Sequence, residues 1–547
     1  MILSWRKEPG VKRVALIAAT FFVIVAGLLL HRYFTYYASY DQGIFNQVFW
    51  NNAHGRFFQS SASSQLSTNV VHSGELPMVN YHRLGQHFTP ALLLWLPIYA
   101  LFPSPVTLCV LQAAFTTLAG VLLYALARQY LEPRLSLGIM VSFYGALAVL
   151  NPILANFHDL SQMPLFMFGL LLAMERRRWW IFALLCLAIL AVREDSAIAL
   201  FGVGAYMLAS RRYPRIGLGV CVLSGIYFLL VTNVFMPFFS DDISKRFMIE
   251  EFGEFIEGDE ATTLEVLWAL LSQPGKLLQS LVSPPEDRLE YLVGHWLPLA
   301  FVPAVSPAAW LMSAFPLMKL TLADSGLNTS IRYALSVVPA MFYGGILWWA
   351  GQGFARFNQP LASLEPRSPS RNFRRFWSAC LLISLVFVPI ANSNRVFYFI
   401  LPDSFQPWVY VPPLTQWQRA GDMNQLVAQI PSEASVSATN HIVPHVSGRR
   451  AVLRLPVFSF IDDAGVTQDA DYIVADFWRL QRYQVAFRRD RRELDSFSVI
   501  VNELLNTQRY GILEFRNGVV LLQKGTASEP LAWQSWQQWY EEFTGVS

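Results

Sequence analysis

Charged residues are scarce in this chain, and their scarcity excludes an ordinary water-soluble fold. Only 14% of the 547 residues are Asp, Glu, Lys or Arg, whereas 54% are hydrophobic. Soluble domains carry about 25% charged residues, so a fold of this composition would leave too much apolar surface in water. The composition therefore predicts an α-helical polytopic membrane protein.

Cysteine and net charge are also low. The four cysteines lie far apart inside apolar runs, without the Cys-x-x-Cys spacing of a metal or redox site. We interpret them as small core residues: Cys109, Cys186, Cys221 and Cys380. A formal net charge of +3 gives the chain no electrostatic footprint for nucleic acid.

Apolar runs near the ~20 residues needed to cross a bilayer recur as far as residue 390. They predict about eleven transmembrane helices, several of them short. The runs are Val14–Leu30, Pro105–Ala127, Leu135–Leu150, Ile153–Met174, Trp179–Val192, Ser196–Ser210, Ile216–Phe239, Tyr291–Val302, Ala304–Met318, Tyr333–Ala350 and Phe376–Ile390. No small-x-small cleavage site follows the first run, which we therefore expect to remain as an uncleaved span.

The positions of Lys and Arg predict the orientation of these helices. Short loops rich in Lys and Arg stay cytoplasmic. If the basic N-terminus with Arg6 and Lys7 is inside, the basic clusters at 128–134, 175–178, 211–215 and 356–375 all fall inside too. We therefore expect a multi-pass protein of the bacterial cytoplasmic (inner) membrane with a cytoplasmic N-terminus. Segments 32–104, 240–290 and 319–332, and everything after residue 391, are then extracytoplasmic.

Two short segments of the first outer loop have apolar patterns of their own. In Tyr40–Trp50 the apolar residues recur at helical spacing, which predicts an amphipathic helix in the membrane interface. Pro90–Leu101 is apolar but too short to span, which favours a re-entrant or interfacial helix.

The composition becomes that of a soluble α/β domain near residue 394. We predict a transmembrane domain over 1–393, with a large first outer loop at 31–104, and an extracytoplasmic domain over 394–547. Leu414–Ile430 has the pattern of an amphipathic helix, and short strands are predicted at 434–436, 451–455, 472–475 and 497–501. Asn517-Gly518 between two apolar runs predicts a hairpin, because this pair suits the positive φ angles of a type I′ turn.

Acidic residues at the predicted outer helix ends are candidate site residues. Ionisable groups at membrane depth are energetically costly unless they face a water-filled cavity or pair with one another, so their presence suggests a functional site. They are Asp41, Asp159, Glu194 and Asp195. Asp41 is a candidate general base or substrate-positioning carboxylate, and the structural alternative is a helix N-cap. The run Arg193-Glu-Asp195 is equally consistent with a site and with an internal salt bridge.

Histidines and two cations complete the candidate set. His82, His87 and His158 are predicted to lie outside; with Asp41 and Asp159 they could bind a divalent metal, although hydrogen-bonding histidines are the more common case. Lys319 and Arg332 flank an outer loop and could hold a phosphate. Their structural alternative is snorkelling at helix ends.

The order of several short motifs resembles a bacterial family of predicted membrane proteins of unknown function that is grouped with the GT-C glycosyltransferases. The resemblance extends from about residue 14 to residue 480. Its motifs are Tyr40-Asp-Gln-Gly-Ile-Phe45, His87-Phe-Thr-Pro90, Leu101-Phe-Pro-Ser-Pro105, Phe157-His-Asp159, Arg193-Glu-Asp195, Ile331-Arg-Tyr333 with Pro339, Ala434-Ser-Val-Ser-Ala438 and Asp471-Tyr-Ile-Val-Ala-Asp476.

The resemblance implies a GT-C-like fold and a sugar donor linked to a lipid phosphate. In GT-C enzymes an acidic residue of the first outer loop acts at the acceptor, and by position this residue is Asp41. Many relatives have an adjacent acidic pair there, whereas this chain has Gln42 after Asp41. The substitution leaves base catalysis open and removes one potential metal ligand.

We therefore expect an outer-face glycosyltransferase that uses a polyprenyl-phosphate-linked sugar, with Asp41 acting on the acceptor hydroxyl. The expected partners are this donor, membrane lipids and a glycan, lipid or protein acceptor, with no nucleic acid. No metal ligand is assigned, and a divalent cation is left open. The substrate site would be formed by His87, His158, Asp159, Arg193, Glu194 and Asp195, with Lys319 and Arg332 on the lipid phosphate. The alternatives are a transporter or flippase of a lipid-linked or anionic substrate and a non-catalytic assembly protein with the same fold.

Overall fold

Most of the long apolar runs fold into helices in the first of two units of the chain. The computed structural model describes residues 10–256, 258–323, 326–391 and 394–545, so Arg6 and Lys7 lie outside the described residues. The first unit comprises Met1–Leu29, Leu84–Trp95 and Cys109–Val396, and the second comprises Leu30–Arg83, Leu96–Leu108 and Phe397–Ser547. The predicted domains 1–393 and 394–547 stay a prediction.

Helices dominate the first unit. Two helices, Val11–Phe34 and Pro105–Ala127, begin or end in the other unit. The others are Pro133–Tyr144, Leu147–Ile153, Met163–Glu175, Trp179–Leu190, Ser196–Ala209, Pro214–Leu230, Met248–Phe252, Thr263–Ser272, Pro274–Val282, Pro285–Trp296, Pro307–Leu322, Ala334–Trp349 and Arg371–Ile390. Two π-helical turns follow the helix Pro214–Leu230 in the chain, at Val231–Phe235 and at Ile243–Phe247.

Within the described residues, four helices are long and apolar enough to cross a membrane, or five if the bent pair Pro133–Tyr144 and Leu147–Ile153 forms one span. In Val11–Phe34, Pro214–Phe235 and Arg371–Ile390, only 28%, 22% and 22% of the apolar window is buried by protein. The rest of these surfaces is left for lipid, as the composition predicts. The count of about eleven spans stays a prediction.

In the bent pair Pro133–Tyr144 and Leu147–Ile153, a neighbouring helix supplies hydrogen-bond partners to the backbone groups at the break. The two helices meet at 43°. Ser384 is fully buried against the break: its hydroxyl donates to Gly145 O at 2.9 Å and accepts from Leu147 N at 3.2 Å. A break inside a membrane protein is tolerated where a neighbouring helix supplies such partners.

The predicted span Tyr291–Val302 is not a continuous helix, so this prediction is wrong. The helix Pro285–Trp296 begins with the charged residues Glu286 and Asp287. It is followed by short 3₁₀ turns at Leu297–Leu299 and Val302–Val305. Ala300 and Phe301 between them have φ angles of 51° and 63°, which an α-helix cannot contain.

One of the predicted cytoplasmic loop arginines is buried instead. Arg212 Nη2 lies 2.7 Å from Glu175 Oε2, with only 13% and 2% of the two side chains exposed. Tyr130 and Tyr343 also donate hydroxyls to the Glu175 carboxylate. Arg212 belongs to the predicted basic loop 211–215 and Glu175 to the predicted basic loop 175–178. Because Arg212 is paired with Glu175, a count of the arginines in these loops overstates the positive charge that they expose to water.

The second unit contains a five-stranded sheet. Its strands are β3 (Val436–Ala438), β4 (Val452–Arg454), β7 (Tyr472–Asp476), β8 (Tyr510–Arg516) and β9 (Val519–Lys524). They lie in the order β4-β3-β7-β9-β8. Strand β3 pairs in parallel with β4 and with β7, whereas β9 pairs antiparallel with β7 and with β8. Two separate hairpins are β1 (Ser404–Phe405) with β2 (Trp408–Val409), and β5 (Ser459–Ile461) with β6 (Thr467–Asp469).

The helices of this unit cover the sheet and carry the first outer segment. They are Tyr40–Ala53, Ser61–Ser64, Thr68–Val71, Leu96–Leu101, Pro413–Val427, Val443–Val446, Phe477–Tyr483, Arg488–Asn506 and Pro530–Thr544. Asn517 and Gly518 have φ angles of 48° and 76°, as predicted for the hairpin turn. The predicted strand 497–501 is wrong, because it lies in the helix Arg488–Asn506, whose buried residues recur at helical spacing.

The helix Tyr40–Ala53 forms where the sequence predicts it, but it does not have the one free face that an amphipathic helix would present. Eleven of its fourteen residues are buried, and they include polar ones such as Gln47, Asn51 and Asn52. Gln47 donates to Ser61 Oγ and to the carbonyl of Arg450, both at 2.9 Å. These amides serve as internal ties within the second unit, which the alternation of apolar residues alone does not reveal.

Candidate functional site

The turn between the helices Trp179–Leu190 and Ser196–Ala209 buries three consecutive charged residues. Arg193 is 2% exposed and Glu194 is 6% exposed. The Glu194 carboxylate accepts from Phe88 N at 2.8 Å and from Arg193 Nε at 3.1 Å, and it lies 3.1 Å from His87 Nδ1. A buried carboxylate with this many donors is held in one orientation.

The third charge of this turn pairs with a helix far along the chain. Lys319 Nζ donates to Asp195 Oδ2 at 2.5 Å, and Arg193 Nε lies 3.4 Å from Asp195 Oδ1. Only 15% of the Lys319 side chain and 12% of the Asp195 side chain are exposed. The internal salt bridge weighed as an alternative for this run is therefore present, and it extends to Lys319.

Tyr333 is a member of this site to which sequence reasoning gave no role. Three cations approach its ring: Arg193 at 5.0 Å, Lys319 at 5.3 Å and Arg332 at 5.7 Å from the centroid. Aromatic faces attract cations, most strongly where water is excluded. In the sequence, Tyr333 closes the motif Ile331-Arg-Tyr333 and follows Arg332 directly at the end of the outer loop.

The turn with His158 and Asp159 lies near the same arginine. Asp159 is 1% exposed, accepts from Leu160 N at 2.9 Å and is close enough to act on the charge of Arg193. His158 Nε2 lies 3.3 Å from the carbonyl oxygen of Pro152. The first unit therefore assembles six predicted site residues around one buried turn, with His158 next to Asp159 in the chain and Arg332 on the Tyr333 ring. We call this set the charged cluster: His87, His158, Asp159, Arg193, Glu194, Asp195 and Lys319, with Arg332 and Tyr333.

The charged cluster suits an anionic or hydroxyl-bearing ligand better than a metal ion. Across the ranges that the structure describes, three or more His, Cys, Asp or Glu side chains nowhere come together in a group that could hold a metal. Arg193 is almost fully buried, and its Nη1 has no hydrogen-bond partner in the described part of the chain. An unsatisfied guanidinium N–H in a dry site favours a ligand with acceptor oxygens.

Asp41 belongs to the second unit and is not the N-cap of its helix. Ser39 occupies the N-cap position, and Asp41 lies in the first turn of Tyr40–Ala53. The neighbouring Tyr40 fixes this turn: its hydroxyl donates to Gln65 Oε1 at 2.8 Å, and its backbone N donates to Asn440 Oδ1 at 3.3 Å. The carboxylate is half-buried at the start of a tightly held helix.

Gln42, which follows Asp41, has a structural contact. It is 1% exposed, and its amide donates to Pro105 O at 3.2 Å within the same unit. An ionised carboxylate could not make this bond, because it has no proton to donate. The amide at position 42 is therefore used in a local hydrogen bond that a glutamate would lose.

Comparison with known proteins gives a family and two similar structures. The family model described as predicted membrane protein, DUF2079, matches residues 32–521. No curated protein matches the chain. The crystal structure of ArnT from Cupriavidus metallidurans bound to undecaprenyl phosphate is similar at a TM-score of 0.46 and 12% identity, covering 94% of this chain and 99% of that one. The same protein in the apo state gives a TM-score of 0.45 and 12% identity, with the same coverage of 94% and 99%.

Proposed function

The chain belongs to the DUF2079 family of predicted membrane proteins, and we propose that it is a membrane glycosyltransferase that transfers a sugar from a polyprenyl-phosphate donor on the outer face of the membrane. The observation that carries the proposal is the charged cluster. A charge placed at membrane depth costs roughly 3 kcal/mol on insertion scales, so buried charges there mark a functional site by default.

The reaction requires little covalent chemistry from the protein. The acceptor hydroxyl oxygen forms a bond to the anomeric carbon of the sugar, and the bond from that carbon to the phosphate oxygen breaks. The hydroxyl proton passes to a base, for which we propose Asp41, and the phosphate leaves with its negative charge. Positioned donors and cations in a dry site stabilise such developing charge without a redox cofactor.

The members of the charged cluster have distinct roles in this proposal. Arg193 offers an unused N–H to an acceptor oxygen. His87 and Glu194 hold the turn that carries Arg193, and the nearby carboxylate of Asp159 stabilises the positive charge of Arg193. His158 and Asp195 complete the substrate-binding surface. Lys319 and Arg332 are the two cations proposed for the lipid phosphate; both lie against the Tyr333 ring, and Lys319 also pairs with Asp195.

The proposal is tested in cells that produce wild-type protein or Asp41→Asn in place of the chromosomal copy. We expect the Asp41→Asn cells to accumulate a lipid-linked sugar and to lose one glycan, because the acceptor hydroxyl is no longer activated. Asp41→Glu keeps the carboxylate and should restore part of the product. Mass spectrometry of both pools measures the change.

A matched control separates loss of chemistry from loss of folding. Glu75→Gln removes an exposed carboxylate from the same outer segment and should leave both pools unchanged. Each variant is checked for membrane insertion and thermal stability. Unchanged lipid-linked and glycan pools in a folded, inserted Asp41→Asn protein would contradict the proposal.

A further inference from the structure

A large cavity in the first unit is lined by residues other than the candidate site residues named above. Its volume is about 1360 Å³, and its walls come from the helices Pro274–Val282 and Pro285–Trp296, the end of Pro307–Leu322, residues 327–331 and the end of Arg371–Ile390. Pockets for drug-sized ligands are about 300–1,000 Å³. A cavity of this size fits an amphiphile with a long chain.

The residues that line this cavity include both apolar and polar side chains. Leu147, Leu297, Leu322 and Phe387 are among the apolar lining residues, and Lys276, Arg288 and Asn328 are among the polar ones. Hydrocarbon prefers the apolar side chains because its contact with water is removed there. A polar head on the same molecule would meet the hydrogen-bonding groups.

Two hydrogen-bond donors on the cavity are buried without partners. The Tyr291 side chain is 2% exposed and lines the cavity, and its hydroxyl has no hydrogen-bond partner in the described ranges. Arg288 uses Nη2 to donate to Ser280 O at 2.8 Å and to Thr321 O at 3.1 Å, while its buried Nε has no partner there. A ligand that supplies acceptors to such groups removes the cost of leaving them unsatisfied.

Burial distinguishes these donors from the carboxylates of the same cavity. Glu254, Asp287 and Glu290 line it but are exposed, so water satisfies them. Neither Arg288 nor Lys276 forms an ion pair with a carboxylate among the described residues. The groups deprived of water are therefore donors, and they call for a ligand rich in acceptor oxygens.

Two helices beside the cavity expose apolar side chains. Trp268 and Leu271 of Thr263–Ser272 are 73% exposed, and Leu278 of Pro274–Val282 is 65% exposed. Apolar side chains on short amphipathic helices of a membrane protein suit the bilayer interface. Lys276, Gln279 and Ser280 of the second helix line the cavity, so the helix that exposes Leu278 also borders the cavity.

We propose that this cavity binds a phosphate-headed lipid, with the phosphate oxygens on Tyr291 and Arg288 and the hydrocarbon chain along the apolar lining residues. The cavity adjoins the charged cluster, since Arg288 donates to the carbonyl of Thr321, two residues from Lys319. As the donor site, this assignment rests on the proposed function. Tyr291 and Arg288 then bind the phosphate in addition to Lys319 and Arg332, the two cations proposed for it.

The test is lipid binding to the full-length protein in detergent, followed by native mass spectrometry without any transfer reaction. The probes are a polyprenyl phosphate, the uncharged polyprenol of the same length and a diacylglycerol phosphate. The wild type should bind the polyprenyl phosphate at least tenfold more tightly than the polyprenol. Tyr291→Phe and Arg288→Gln should each weaken phosphate-lipid binding about tenfold, the equivalent of one charge-assisted hydrogen bond.

Folding is kept separate from binding by the choice of variants. Tyr291→Phe removes only an unpartnered hydroxyl, so the unliganded protein should unfold at the same temperature or higher. Glu286→Gln, at an exposed carboxylate of the same helix that is not among the lining residues, serves as the matched control and should bind as the wild type does. Wild-type affinity in both folded test variants, or equal affinity for the polyprenol, would overturn the assignment.

The probes also separate this assignment from the proposed enzyme activity. Tighter binding of the diacylglycerol phosphate than of the polyprenyl phosphate supports a phosphate-lipid site occupied by a membrane phospholipid and overturns its role as the donor site. Sugar transfer at the wild-type rate by variants whose cavity no longer binds the polyprenyl phosphate would overturn the cavity assignment alone. Binding without any transfer would contradict the proposed function alone.

Discussion

Lys319 and Asp195 form an ion pair of 2.5 Å although they are 124 positions apart in the chain. The pair joins the end of the helix Pro307–Leu322 to the turn before Ser196–Ala209. It therefore couples two helices at the centre of the charged cluster.

Breaking this pair should destabilise the protein. Lys319→Met leaves the Asp195 carboxylate with the longer contact to Arg193 Nε at 3.4 Å, so we expect a loss below the roughly 3–5 kcal/mol that removing one partner of a buried pair costs. Adding Asp195→Asn to Lys319→Met should restore much of the stability. Thermal unfolding in detergent measures both, and Lys245→Met, at an exposed pair with Asp241, should show no measurable change. Equal losses in the single and double variants would contradict a coupled pair.

Glu194 should be more sensitive to a neutral substitution than an exposed glutamate. Glu194→Gln places an NH₂ group where the carboxylate now accepts from Phe88 N and Arg193 Nε. At least one donor then loses its acceptor, which costs about 1–3 kcal/mol. Glu250→Gln, at a half-exposed i,i+4 pair with Arg246, is the comparison. Similar melting temperatures for the two variants would show that the Glu194 contacts contribute little.

Gln42→Glu should not recover a metal site, although it recreates the acidic pair found in many relatives. The Gln42 amide donates to Pro105 O and is almost fully buried. A carboxylate there faces a carbonyl oxygen without a proton to share, so we expect a loss of about 1–3 kcal/mol in stability. Isothermal titration with Mn²⁺ should show no new binding. Metal binding by a stable Gln42→Glu protein would contradict this interpretation.

Acidification should destabilise the second unit through His445. Burial lowers the pKa of His445 to about 3, and its ring stacks on Tyr36 at a centroid distance of 3.6 Å. In the unfolded chain His445 binds a proton near pH 6.5, whereas in the folded protein it does not. The contribution of neutral His445 to the free energy of unfolding is therefore complete above pH 6.5. It is lost by up to about 1.4 kcal/mol per pH unit as the pH falls below 6.5.

His445→Phe keeps the ring stacking and removes the titration. Unfolding measured between pH 7 and pH 5 should therefore depend less on pH in this variant than in the wild type. His54→Gln removes an exposed histidine and should keep the wild-type dependence. The same pH slope in His445→Phe and wild type would show that His445 is not the group that responds.

The sequence predicts the parts of this protein that depend on local pattern. Apolar runs predict the helical membrane protein, Asn517-Gly518 predicts the hairpin, and the order of short motifs predicts the family, which the match over residues 32–521 confirms. The first two signals each lie within one segment, and the third is the order of short segments along the chain. No knowledge of distant contacts is required to read them.

The rest depends on distant contacts and could not be read from the pattern. The charges of Arg193-Glu-Asp195 are visible in the sequence, but their pairing with Lys319 and His87 is set by packing across the chain. The unpartnered Tyr291 hydroxyl has no signal at all, because tyrosine is common at membrane interfaces. The strand predicted at 497–501 fails because a short apolar run fits a strand and a helix equally well.

The most direct test of the proposed activity is the release of polyprenyl phosphate by purified protein in liposomes that contain lipid-linked sugars and acceptors extracted from the producing cells. We expect steady release by the wild type and at least a hundredfold slower release by folded Asp41→Asn, since a positioned base contributes about 10²–10⁴-fold. Equal release by both proteins would remove Asp41 from the chemistry. No release by a folded wild type that binds the donor lipid would contradict the glycosyltransferase account.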